Sequence, residues 1–243
     1  MNITPKVKCM SEAITVKELL ERFRSENTAE SDKAIAIHDY IREKVKFGFN
    51  KYLDEDQPDY TLAVGYGHCN AKSRLMVVLL RGIGLEAYQH FVVLPKEILD
   101  GAASKSRSWM APKEISHSYV DVRINGKWCA IDSFIIDTPY LKAAMARLAS
   151  EGRSLGYGVR SDSVNIWDGK SDAFSQFDRQ LMIEDHGRVD DLDAYIRSSR
   201  YRTKFMGLRL NSIFKLMGEA GLAKGNAYLE SIRNPVNITT PLP

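Results

Sequence analysis

The sequence predicts an α+β domain in which a central helix, beginning at Cys69, packs on an antiparallel β-sheet, with a helical C-terminal extension. Two observations carry this. Gly65-Tyr66-Gly67-His68 punctuates the chain just before an apolar run over residues 72–83, so a buried helix starts at Cys69. Residues 116–124 and 127–136 are rich in β-branched and aromatic side chains and are joined by Asn125-Gly126, the pair best suited to a two-residue hairpin turn. With 243 residues, 44% of them hydrophobic, the chain is long enough for one sizeable domain with an extension.

Taken in order, Thr15 and Glu18 have capping-box spacing ahead of Val16, Leu19, Leu20 and Phe23, which recur at helical period. Asp32 precedes a second helical stripe, Ala34, Ile37, His38, Ile41 and Val45, and His38 on its apolar face reads as a satisfied core histidine. Residues 47–58 read as loop approaching Cys69 from upstream. The Cys69 helix is apolar nearly all round between Leu75 and Leu80, which suits a covered element, and Gly82 and Gly84 stop it. Residues 86–94 read as a buried strand with a structural His90. Residues 95–115 form a long connection with a helical turn near Glu97 and an isolated Trp109, either a lid over substrate or a solvated insertion.

Thr138-Pro139 then starts a helix over 140–149, with threonine as cap and proline at the first helical position. Residues 152–176, rich in Gly, Ser and Asp, suit a wall of a cleft. Asp185-His186-Gly187 reads as a turn before a helix over 192–196, and residues 203–217 as an amphipathic helix with Phe205, Leu208, Ile213 and Leu216 on one side. The expected organisation is a core with N-terminal helices over 1–149, a loop-rich and helical extension over 150–232, and a proline-rich tail over 233–243.

The chemistry sits in three residues. A thiol at a helix start meets unpaired backbone N–H groups and the positive end of the macrodipole, and both favour thiolate, so Cys69 is a candidate nucleophile. If Ile124 faces Lys127 in the hairpin, then Tyr119 faces Asp132 and His117 faces Phe134. All four side chains then leave one face, with Asp132 diagonal to His117, while Val120, Val122, Ile124, Cys129 and Ile131 form an apolar face for burial. The arrangement predicts a Cys69-His117-Asp132 triad, with His117 as proton carrier and Asp132 holding its tautomer. Cys69 N–H is one donor to an oxyanion, and Gln57, Tyr60 and Tyr66 are upstream candidates for a second. Each residue alone has a plainer reading, as a buried thiol, a core histidine or a turn-capping aspartate; the register puts two of the three, His117 and Asp132, side by side.

The order Gly67-x-Cys69-Asn70-x-Lys72, then Leu79-Leu80-Arg81-Gly82-Ile83-Gly84-Leu85, then His117-Ser118-Tyr119-Val120, then Gly126-Lys127-Trp128 and Asp132 resembles the transglutaminase-like superfamily of the papain-type fold. The resemblance is closest to stand-alone bacterial transglutaminase-like proteins. It spans residues 33–148, and more loosely Gly156-Tyr157-Gly158 and Asp185-His186-Gly187. It implies a cysteine on a helix ahead of a histidine and an aspartate on neighbouring strands, matched here by Cys69, His117 and Asp132. It also implies acyl chemistry without metal or organic cofactor, on a small-molecule, carrier-bound or peptide substrate, with release to an amine or to water. Superfamily members include proteases, amidases, cross-linkers, amide-forming enzymes and inactive relatives, so a peptidase or amidase and a silent binding module are the rival expectations. His68 departs from the pattern, since several branches place tryptophan or another uncharged residue before the nucleophile. With Trp109 it joins the candidate substrate-binding or oxyanion residues.

Composition excludes other classes. The 34 basic and 31 acidic residues are mixed along the chain, so the net charge of +3 gives no reason to expect a nucleic-acid partner. Cys9, Cys69 and Cys129 are too scattered for a disulfide framework or a Cys-x-x-Cys metal site, and a zinc site from His68, His117 and Asp132 lacks close ligand spacing. No apolar signal core or membrane-length run is visible, Asn237-Ile238-Thr239 is only formally a glycosylation site, and a reducing cytoplasm is the expected compartment.

Overall fold

The computed structural model describes residues 14–26, 28–103 and 112–234. The chain opens with α1 (Val16–Ser25), whose Thr15 capping box forms as its spacing predicts, and which buries Val16, Leu19 and Phe23. Next come α2 (Glu30–Lys44), β1 (Lys46–Phe47), α3 (Pro58–Val64) and β2 (Tyr66–Gly67), which pairs parallel with β1 and delivers the chain to α4 (Cys69–Gly82). Then follow β3 (Glu86–Pro95), β4 (Glu114–Ile124), β5 (Lys127–Ile131) and α5 (Thr138–Glu151). The remainder holds β6 (Leu155–Gly156), β7 (Val159–Arg160), β8 (Glu184–Val189), α6 (Leu192–Arg197), β9 (Lys204–Phe205), β10 (Leu208–Arg209) and α7 (Leu210–Arg233).

The main sheet is antiparallel, in the order β5-β4-β3-β8. The β4–β5 turn carries Asn125 at φ 50° and Gly126 at φ 82°, the doubly positive geometry its sequence predicts, and Ile124 faces Lys127. Val120, Val122, Ile124, Cys129 and Ile131 bury against Leu75, Met76, Leu79 and Leu80 of α4, with α1, α2 and α5 completing the core. Each of those α4 side chains contributes about 1.5–3 kcal/mol by burial. Gly82 lets α4 and α1 touch, because a Cβ there would lie 2.3 Å from Leu20 Cδ2. The opposite face of the sheet is covered too: Val92, Ile115, Tyr119 and Ala130 pack with Phe177 from the segment after β7.

Several expectations are corrected. The β4–β5 ladder ends at Val120–Ile131, so Asp132 and Phe134 lie beyond it and His117 is paired with Val92 on β3. The cause is the 172–176 segment: Ala173 O accepts from Asp132 N and Ser133 N and draws the chain out of the sheet. Asp137, not Thr138, caps α5 by accepting from Tyr140 N. Asp185-His186-Gly187 lies within β8, on a bulge opposite Phe91 and Val92. The 203–217 stretch is broken into the β9–β10 hairpin, with Met206 and Gly207 at positive φ, before α7 begins, and Leu208 and Leu216 are exposed. Arg233, read as the first residue of a tail, is buried in an ion pair with Asp137 at 2.7 Å. Trp109 lies outside the described residues. No helix among the described residues is long and apolar enough to cross a membrane.

Candidate active site

His68 is the N-cap of α4 and Cys69 its first residue, half-buried, with the open N–H groups of the first turn around it. Lys72 fixes this end of the helix. Its fully buried Nζ donates to Val45 O at 2.5 Å and Ile135 O at 2.8 Å, tying α4 to the end of α2 and to the loop after β5. Burial pulls this amine down to about 7, with the Asp137 charge opposing.

His117 comes from β4, buried, with the edge of its ring against Phe177 at 5.0 Å between centroids. It interacts with Cys69, each group favouring the charged form of the other. Its Nε2 lies 3.3 Å from Asp132 Oδ2, at an angle short of a hydrogen bond. Asp132 is completely buried and held by Ser175 N, Ser175 Oγ and Gln176 N. The displaced end of β5 therefore still brings its carboxylate to the imidazole, through downstream backbone rather than the ladder.

Burial pushes the Cys69 thiol up, but the hydrogen bond and charge of His117, with the charge of His68, outweigh it and hold the thiol below its ordinary value. Burial likewise opposes a charged His117, yet Asp132 and Cys69 lift the ring to about 9. Thiolate and imidazolium stabilise each other.

Behind Cys69 lies a cluster the sequence reading missed. Asp54, buried in the upstream loop, accepts from His68 Nε2 at 2.8 Å, from Asn70 Nδ2 at 2.5 Å and from the Tyr201 hydroxyl. It thus braces both chain neighbours of Cys69, and Asn70 Oδ1 in turn accepts from Cys69 Sγ at 3.5 Å. The loop's approach to Cys69 is readable in the sequence; the place of its carboxylate is not, because its partners His68, Asn70 and Tyr201 share no spacing with it.

The other upstream candidates have partners elsewhere. Tyr66 donates to Glu230 at 2.9 Å, and burial and that carboxylate push its phenol up to about 12. Tyr60 packs edge-on against Tyr52 at 4.7 Å. Gln57 is exposed and lines a groove of about 440 Å³ with Arg74, Arg81, Gln89 and Asp193 along the flank of α4. Among the described residues, no group of three or more His, Cys, Asp or Glu side chains is placed to hold a metal ion.

A model of the transglutaminase-like superfamily matches residues 17–133, a stretch that includes Cys69, His117 and Asp132. Among solved structures, the chain is similar to a "Putative Cysteine Protease from Cytophaga hutchinsonii", at 18% identity and a TM-score of 0.35, over 47% of this chain and 35% of that one. No curated protein matches.

Proposed function

From the transglutaminase-like domain of residues 17–133, we propose that the protein is a cysteine-dependent acyl-transfer enzyme working through Cys69, His117 and Asp132. The observation that carries the reading is one buried imidazole whose Nε2 lies 3.3 Å from a buried carboxylate and which interacts with a thiol at a helix start. The Cys69 thiolate attacks the carbonyl carbon of an amide, ester or thioester, and the C–S bond forms as charge moves to oxygen. His117 passes its proton to the departing amine, alcohol or thiol as that bond breaks, leaving a thioester on Cys69. The now neutral His117 takes a proton from an incoming amine or water, which attacks the thioester; the C–S bond breaks and the thiolate–imidazolium pair returns. Asp132 keeps the ring oriented through both halves.

Incubating the purified protein with a panel of thioesters, with and without amines, tests this. The expected result is an acyl mass on Cys69 that is discharged as amide when amine is present and as free acid when it is not. Discharge only to free acid would make the enzyme a hydrolase. No adduct from any thioester, with Cys69 alkylation rising only near pH 8.5 and indifferent to His117→Ala, would mean a silent binding module.

A further inference from the structure

We propose that His68, braced by Asp54, donates from Nδ1 to the oxyanion formed when Cys69 attacks, making it a catalytic residue of the acyl chemistry proposed above, on which this inference rests. The argument begins from an accounting of the five histidines. His38 engages Asp39 and Ser133, His90 engages Asp121 and Asp185, and His186 engages Tyr195 and Glu184, so each spends both ring nitrogens within the fold. His117 is shared between Cys69 and Asp132. His117 Nε2 lacks a hydrogen bond but lies 3.3 Å from the Asp132 carboxylate, whereas His68, with Nε2 on Asp54, keeps Nδ1 buried and without a hydrogen-bond partner. A buried polar atom left unpaired costs stability, and such atoms gather where a ligand or a reacting group completes them.

Its position fits that use. His68 is the chain neighbour of Cys69, at the helix end where Cys69 N–H also points out of the first turn. Burial opposes charge on the ring, but the hydrogen bond and charge of Asp54, with the charges of Cys69 and Asp56, outweigh it and favour the protonated form, in which Nδ1 carries a hydrogen to donate. The Asp54 anchor fixes the ring before substrate arrives, which is what makes a donor effective toward charge that appears only in the transition state. Tyr66 is committed to Glu230, and Tyr60 is packed on Tyr52. His68 donates a hydrogen bond and exchanges no proton: the negative charge passes from sulfur to oxygen on attack and returns when the intermediate collapses.

Two reactions of the same sulfur separate this role from a mere influence on the thiolate. Alkylation by iodoacetamide displaces iodide from a tetrahedral carbon and builds no oxyanion, whereas acylation by a thioester does. Both rates are measured on full-length protein, at a pH where the alkylation profile shows the thiolate fully formed. His68→Ala is expected to lower acylation about 10²–10³-fold and to leave alkylation within about threefold. His68→Gln, which restores a neutral N–H donor, should recover at least about tenfold of the loss. His68→Phe keeps the ring beside Phe49 without a donor and replaces the alanine variant if that one does not fold. Equal losses in both reactions, or unchanged acylation, overturn the assignment while leaving the triad reading intact. Failure of the unsubstituted protein to acylate Cys69 overturns both.

Discussion

His90 on β3 and His117 on β4 are strand histidines in the same sheet, each beside an aspartate, and they end in opposite conditions. His90 is half-buried between Asp121 at 3.0 Å and Asp185 at 2.6 Å, with Tyr119 stacked on its ring at 4.4 Å. Asp121 also takes Arg188 at 2.8 Å, and that guanidinium lies 3.6 Å above the Trp128 ring. Every polar atom of that ring is used, so it fastens β3, β4 and β8 together. His117 sets Nε2 3.3 Å from a carboxylate without hydrogen-bonding it, and it interacts with a thiol at a helix start. A histidine–aspartate pair is therefore not a functional signature; what counts is which group holds the remaining nitrogen.

The sharpest way to break the comparison is His117→Ala. Removing the proton carrier should lower thioester acylation of Cys69 by about 10³-fold or more. The alkylation profile should also move up in pH, because the hydrogen bond and charge that hold the thiol down are lost. Both are read by mass spectrometry of the Cys69 peptide; an unmoved profile would mean that sulfur and ring do not interact. In the same experiment Cys129, fully buried and with its thiol pushed up by burial, should remain unlabelled.

A smaller effect is expected from Asp132→Asn, which keeps the shape and the Ser175 and Gln176 contacts but removes the charge. Acylation should fall about 10²-fold. His117 is held near 9 partly by this carboxylate, so its proton leaves at lower pH in the variant and the alkaline limb of the acylation profile shifts toward acid. An alkaline limb that stays in place would remove Asp132 from the reading and leave a two-residue site.

The parts of this arrangement that sequence discloses are those with local causes. The Asn125-Gly126 turn fixes the β4–β5 register as far as Val120–Ile131, and the glycine-bounded apolar run fixes where α4 begins. What it hides is long-range. The carboxylate of Asp132 is set by Ser175 and Gln176, far along the chain in a segment with no periodic pattern. Two backbone carbonyls from distant parts of the chain enclose the amine of Lys72, and Tyr201 reaches Asp54 from beyond α6. The misread 203–217 helix fails for a backbone reason: its apolar spacing is helical, but Met206 and Gly207 turn the chain. Side-chain periodicity reports which faces can be buried and is silent on a φ that changes sign.

The mildest perturbation tests the other side of the comparison. His90→Gln should leave acylation within about twofold, because neither ring nitrogen reaches Cys69, and should lower stability by about 1 kcal/mol near pH 6, as Asp121 keeps Arg188. The pH at which that loss is measured matters. Burial opposes charge on His90, but Asp121 and Asp185 outweigh it and raise the ring above its ordinary value. A group raised in the folded state contributes stability that is fully present below its unfolded value, near 6.5, and that fades as pH climbs through the folded value. Urea unfolding of the two proteins should therefore show its widest gap near pH 6 and a narrower one near pH 9. A gap that widens with pH would mean that the neutral ring is the stabilising form. A tenfold loss of acylation would show that a histidine with both nitrogens occupied can still act on the site through the sheet.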